Sequence, residues 1–71
     1  MINTMELEIE LKRANFSKKK LAIELGVSEM TLYNKLTGQT EFKISEVRTI
    51  AEKLNLTDAK KNEIFFNSQY D

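Results

Sequence analysis

The 71-residue sequence has no cysteine, histidine or proline and only two glycines. The lack of cysteine and histidine excludes disulfide bonds, thiolate chemistry, zinc fingers and an imidazole general base. A domain this small must then be held by packing alone, which suits a reducing cytoplasm. The absence of proline and the presence of only two glycines disfavour an all-β fold with many tight turns. We therefore expect one all-α domain over residues 1–71, with its core within about 5–67.

The sequence also lacks long apolar runs and any set of residues typical of an enzyme. No apolar run approaches the roughly 18 residues of a membrane-spanning helix. The first residues have neither the basic nor the apolar block of a signal peptide. Without a nucleophile–base pair or a metal-ligand cluster, we expect no catalysis, no cofactor, no metal and no small-molecule substrate.

The charged residues balance to a net charge of zero, but they are unevenly distributed. Residues 1–10 carry three glutamates and no basic residue, whereas residues 11–43 carry seven basic and three acidic side chains. Residues 44–71 are slightly acidic. Such a local basic region attracts phosphate even when the whole chain is neutral.

The first apolar segment fits two patterns. Residues 5–12 alternate between apolar and charged, as a strand does, but the apolar residues also recur at helical spacing. Glu8 with Lys12 and Glu10 with Arg13 are favourable helical pairs. We predict a helix, with a strand as the alternative.

Five helices are predicted from apolar spacing together with start and stop residues. The helices cover 5–14, 18–25, 29–36, 44–54 and 59–67. The predicted N-caps are Ser17, Ser28 and Thr57, and the predicted stops are Asn15, Gly26, Gly38 and Asn55. The inward residues of the fourth helix are Ile44, Val47, Ile50, Ala51 and Leu54. Lys43 is a weak cap for the fourth helix. A loop over 39–43 is expected to bury Phe42. Residues 68–71 are expected to be frayed.

The segment from Ser17 to Gly38 predicts two short helices joined by a tight turn. Ala22 is small where the helices must cross, and Gly26 supplies the positive φ that reverses the chain. Val27 fills the corner, and Ser28 caps the next helix. This arrangement is a helix-turn-helix.

The octapeptide Leu-Ala-Ile-Glu-Leu-Gly-Val-Ser at 21–28 resembles the phage-repressor or Cro-type helix-turn-helix family, which has the lambda-repressor-like fold. The resemblance is strong over 17–38 and looser over about 5–67. It implies a compact five-helix domain in a bacterial host cell that binds double-stranded operator DNA at the nucleoid, usually as a dimer, and regulates transcription.

The sequence departs from the family pattern at two single positions and in one tripeptide. Lys18 replaces a common glutamine at the start of the second helix, where either side chain can contact phosphate. Lys35 replaces an apolar residue, and Leu36 is expected to take its buried place. Leu-Thr-Gly at 36–38 follows where Glu-Asn-Gly is usual. Together these changes leave the fold prediction intact but leave the contact register open by about one residue.

A helix that enters the major groove by its N-terminus presents its first turn and the residues one turn on. The candidate base-contacting residues, three of them implied by the resemblance and Tyr33 added by this geometry, are Glu29, Met30, Tyr33 and Asn34. The alternatives are dipole stabilisation by Glu29, a core or partner contact by Met30, a Tyr33 ring covering Leu36, and an ordinary exposed Asn34. The candidate phosphate-contacting residues are Ser17, Lys18, Thr31, Lys35, Thr37, Gln39 and Lys43.

The fifth helix carries Phe65 and Phe66, whose side chains point about 100° apart. One is expected in the core and the other in a homodimer contact; alternatively, both pack under loops. The apolar Phe65 and Phe66, together with the zero net charge of the chain, also fit a second function. In this alternative the domain is an antirepressor or modulator that binds a partner repressor.

Overall fold

The computed structural model describes residues 2–66, and these residues form five α-helices and no strand. The all-α, five-helix architecture predicted from the sequence is confirmed, and the strand alternative for the first segment is wrong. The helices are α1 (Thr4–Arg13), α2 (Lys18–Leu25), α3 (Glu29–Leu36), α4 (Ile44–Lys53) and α5 (Asp58–Phe65). The C-terminal end predicted for the fifth helix, Asn67, and the fraying predicted for 68–71 lie outside the described residues.

The helix starts follow the predicted caps. The hydroxyls of Ser17, Ser28 and Thr57 each accept a hydrogen bond from the backbone N–H three residues on, at 3.0–3.1 Å. Such caps satisfy one of the backbone donors that a helix start leaves unpaired. The sequence reasoning missed the cap of α1, where the Asn3 side chain accepts from the N–H of Glu6. At α4 the N–H of Lys43 donates to the carboxylate of Glu46 at 2.8 Å.

The four predicted stop residues have the backbone conformation that ends a helix, whereas α5 ends at Phe65 and not at about 67 as predicted. Asn15 and Asn55 both have φ 55°, and Gly26 and Gly38 have φ 72° and 87°. This left-handed conformation ends a helix by turning its last carbonyls toward the following N–H groups. At Gly26 the next residue, Val27, donates its N–H to the carbonyl of Ala22 at 3.0 Å. The chain therefore leaves α2 and enters α3 after only three residues.

Every helix contributes to one hydrophobic core. Its members are Leu7, Leu11, Leu21, Ala22, Leu32, Leu36, Val47, Ile50, Leu54, Ile64 and Phe65. Leu25, Val27 and Phe42 are half-buried against this core. The N–H of Asn3 donates to the carbonyl of Ile64 at 2.7 Å, which joins the start of α1 to α5. The core thus fixes the two helices of the helix-turn-helix on a base made by α1, α4 and α5.

Two predictions about buried positions need correction. Ile44 was expected to point inward but is 62% exposed, because it lies in the first turn of α4 at the margin of the buried stripe. Ala51, two turns further on, is half-buried. Lys35 was expected to be replaced in the core by Leu36, but both residues are buried.

The two phenylalanines at the end of α5 have different environments. The Phe65 ring meets the Phe42 ring edge-on, with their centroids 5.5 Å apart. Phe66 is 45% exposed. The expectation that one ring lies in the core is confirmed at Phe65, and the alternative that both pack under loops does not hold for Phe66.

Candidate functional site

The outward side of α3 is set by the residues that anchor its inward side. Leu32, Lys35 and Leu36 are buried on one side of this helix. Residues three or four apart share a helix face, so the intervening positions must point away from the core. Met30 is 67% exposed and Tyr33 is 59% exposed, and Glu29 is exposed as well. No other described segment covers these three side chains.

Asn34 lies at the edge of this surface and is half-buried. Its carbonyl accepts hydrogen bonds from the N–H groups of Gln39 and Thr40 and from the Thr37 hydroxyl. These bonds shape the loop after α3 through the main chain. The Asn34 side-chain amide is not needed for them.

The candidate phosphate-contacting residues are spread over two helix starts and the loop after α3. Ser17, Lys18, Thr37, Gln39 and Lys43 are exposed, and Thr31 is half-buried. The Ser17 hydroxyl is the cap of α2, and the Thr31 hydroxyl accepts from Ser28 at 2.9 Å. The structure therefore leaves Lys18 and Lys43 as the cations of this set that can reach solvent.

Lys35 is the exception, and its expected phosphate contact disagrees with the structure. Its ammonium lies 3.0 Å from Glu46 Oε1 and donates to the carbonyl of Glu41 at 3.2 Å. It also lies 5.8 Å from the centre of the Phe42 ring. A buried ammonium held in this way cannot reach a phosphate without breaking the ion pair, so we remove Lys35 from the contact set.

The surroundings of the Glu46 carboxylate, which pairs with Lys35, favour its charged form. Burial by itself would raise the pKa of Glu46. The hydrogen bond from the Lys43 N–H and the contact with the Lys35 ammonium outweigh burial, and the pKa is lowered below its ordinary value. Glu46 therefore stays charged beside α3 at neutral pH.

A groove of about 490 Å³ runs beside the exposed side of α3. Its walls include Met30 and Tyr33 from α3, Thr4 and Glu8 from α1, and Lys18 from α2. The Lys18 ammonium lies 2.9 Å from Glu8 Oε2. Sequence spacing had paired Glu8 with Lys12 in the same helix, and no local pattern signals a partner ten residues away in another helix. Glu8 is thus a residue of this site that the sequence reasoning missed.

Taken together, the described residues form a helical domain in which a short helix, capped by Ser28 and reached through the Gly26 turn, projects its outward side into solvent. This is the geometry of a helix-turn-helix DNA-binding domain. Within residues 2–66, no three acidic side chains are grouped so that they could hold a metal ion.

Comparison with known proteins agrees with this class. Residues 2–37, just over half of the chain, match the family described as "Bacterial regulatory protein, Fis family". The chain belongs to this helix-turn-helix family, and it is a DNA-binding transcription regulator of helix-turn-helix type. Regulators of this class are generally not enzymes. No curated protein and no solved structure gives a significant match to the chain.

The matched region covers α1, α2 and α3, which together carry the groove and the exposed side of α3. α4 and α5 lie outside the match. None of the helices within residues 2–66 combines the length and the apolar character that crossing a membrane requires.

Proposed function

We propose that this chain is a sequence-specific regulator of phage-repressor or Cro type that binds operator DNA by placing α3 in the major groove. The observation that carries the proposal is the exposure of Met30 and Tyr33 on a helix whose other side is anchored in the core. A B-DNA major groove accepts one α-helix, and each base pair presents a distinct donor and acceptor pattern there. The octapeptide at 21–28 supports the phage-repressor assignment, as does the order of the five helices within residues 2–66. We propose that residues 1–71 form one domain.

In this proposal the residues of the first two turns of α3 contact base edges. Asn34 can bond the N6 and N7 atoms of adenine, Glu29 can accept from the N4 amine of cytosine, and Met30 can contact a thymine methyl group. Tyr33 adds a base-edge or phosphate contact. The proposed phosphate-contacting residues are Ser17, Lys18, Thr31, Thr37, Gln39 and Lys43. Phosphate contacts fix the position of the domain on the duplex and do not select the sequence.

We further propose that the domain acts as a homodimer on the DNA of a bacterial cytoplasm. One small module has a limited DNA interface, and a dimer would set two α3 helices one turn of DNA apart, about 34 Å. Phe66, exposed at the end of α5, is the proposed dimer contact. The proposal assigns the domain no catalytic activity, no cofactor and no small-molecule substrate.

The first experiment is the selection of bound sites from random duplex DNA, followed by affinity measurements for the selected site over a range of salt concentrations. Affinity should fall with salt, with a log–log slope of about −0.9 per phosphate neutralised. Lys18→Ala should weaken binding to all sequences and make the slope shallower by up to about 0.9 for each chain bound.

Lys19→Ala is the matched control, since Lys19 is an exposed neighbour outside the proposed contact set. Equal effects of the two substitutions would remove Lys18 from the interface. If the unmodified chain bound no DNA at low salt but bound a repressor, the function would instead be that of an antirepressor or modulator.

A further inference from the structure

Glu8 places a negative charge inside the surface that is proposed to meet DNA. It lines the same groove as Met30 and Tyr33, although it belongs to α1. Its carboxylate is bonded to the Lys18 ammonium at 2.9 Å, and the two side chains are 45% and 52% exposed. The pair is therefore open to solvent, and an approaching anion can reach it.

Glu8 and a DNA phosphate would compete for the same cation, the Lys18 ammonium. Lys18 is the first of three consecutive lysines at the start of α2, where the backbone N–H groups also favour an anion. A phosphate that approaches the start of α2 must either share the Lys18 ammonium with Glu8 or displace the Glu8 carboxylate from it. An exposed ion pair is weak, since its Coulomb attraction is screened by water, so DNA phosphate can displace Glu8 at a modest cost in affinity.

We propose that Glu8 sets the DNA affinity of this domain by competing with phosphate for Lys18. This inference rests on the proposed function, because it requires the surface beside α3 to bind DNA. When Lys18 stays with Glu8, the complex lacks one neutralised phosphate. When Lys18 moves to a phosphate, the released carboxylate takes up a cation from solution. In both cases fewer ions are released in total, so binding is weaker and less dependent on salt than the exposed lysines alone would give.

Glu8→Gln tests the inference, because the amide keeps the shape of the side chain and removes its charge. Glu6→Gln is a matched control. Glu6 lies two residues earlier on α1, about 200° around the helix, and it pairs with Lys60 of α5 at 3.1 Å. Both substitutions raise the net charge by one and remove one interhelical ion pair. They differ in that only Glu8 lines the groove beside α3.

The measurement is the affinity of each full-length chain for the selected site and for a random-sequence duplex, between about 50 and 200 mM salt. Melting curves recorded alongside confirm that each variant is folded. Glu8→Gln should raise the affinity about three- to tenfold at the lower salt concentration. It should also steepen the log–log slope by up to about 0.9, which is roughly a threefold greater loss over this range. Glu6→Gln should change neither quantity by more than about twofold.

Two results would overturn the inference. If the unmodified chain bound DNA but Glu8→Gln matched Glu6→Gln, Glu8 would have no special part, and the proposed function would stand. If the unmodified chain bound no duplex under any of these conditions, the proposed function would fail, and the role of Glu8 would fail with it.

Discussion

The ammonium of Lys35 in α3 lies 3.0 Å from Glu46 Oε1 in α4, and the two side chains are 8% and 10% exposed. This ion pair lies directly behind the helix that is proposed to enter the major groove. It occupies a position where an apolar residue would otherwise fill the core. A buried ion pair of this kind holds α3 against α4 at one distance, because both charges lose their partners if the helices separate.

Removal of one member of this pair should cost more stability than removal of both. Lys35→Met should lower the free energy of unfolding by roughly 3 kcal/mol, since it leaves Glu46 buried without its main counter-charge. The double variant Lys35→Met/Glu46→Leu should be within about 1 kcal/mol of the unmodified chain, because apolar side chains of similar size pack in the same space. Urea unfolding of the four chains measures both effects. Additive losses would show that the ion pair makes no specific contribution.

The lowered pKa of Glu46 makes stability depend on pH in a defined direction. Its pKa is lower in the folded than in the unfolded chain, so the unfolded chain binds the proton more readily. The stabilisation is therefore present above the unfolded value of about 4.3 and is lost as pH falls through the lower folded value. Glu46→Gln should be less stable than the unmodified chain at pH 7, and the difference should shrink below about pH 4. A difference that stays constant between neutral and acidic pH would contradict this prediction.

The local signals in the sequence located the helix-turn-helix to the residue. α2 and α3 begin and end where Ser17, Gly26 and Ser28 predict. These signals succeed because a cap or a left-handed glycine acts through hydrogen bonds within four residues of itself. The outward direction of Met30 and Tyr33 follows from the same boundaries, but the burial of Lys35 does not.

The parts that the sequence did not predict depend on residues far apart in the chain. Burial of the Lys35 ammonium depends on Glu46, which lies eleven residues later in α4 and packs against it. Likewise Glu8 has a suitable partner within α1 by spacing, yet it pairs with Lys18 of α2. Local spacing cannot choose between such partners, because the choice is made by how the helices pack.

The cap of α3 should account for a measurable part of the stability. The Ser28 hydroxyl accepts from the Thr31 N–H at 3.0 Å and donates to the Thr31 hydroxyl. Ser28→Ala should cost about 1 kcal/mol, which for a domain of this size lowers the melting temperature by about 4–8 °C. Ser45→Ala is the control, since Ser45 is exposed within the first turn of α4, and it should change stability by less than about 0.5 kcal/mol. Equal melting temperatures for the two variants would show that the cap is unimportant.

Asn34→Ala should remove a preference at one base pair and leave the rest of the preferred sequence intact. A bidentate contact to adenine is worth about 1–3 kcal/mol of discrimination, which is roughly a five- to 150-fold preference. The loop after α3 should be unaffected, because it is bonded to the Asn34 carbonyl. Binding assays on the selected site and its single-base variants give the comparison, with Asn62→Ala in α5 as the control. Uniform weakening across all sequences would argue for a phosphate or purely structural role.

The proposed dimer contact can be tested with one exposed ring. Phe66 is 45% exposed and lines a groove with Ile44 and Phe42 at the end of α5. In a two-fold dimer each such residue occurs twice, and burial of one phenylalanine is worth about 1.5–3 kcal/mol. Phe66→Ser should therefore raise the dimer dissociation constant by at least about tenfold in sedimentation experiments. Ile23→Ser, which removes an even more exposed apolar side chain from α2, should leave it unchanged. If both variants dimerise like the unmodified chain, the contact lies elsewhere.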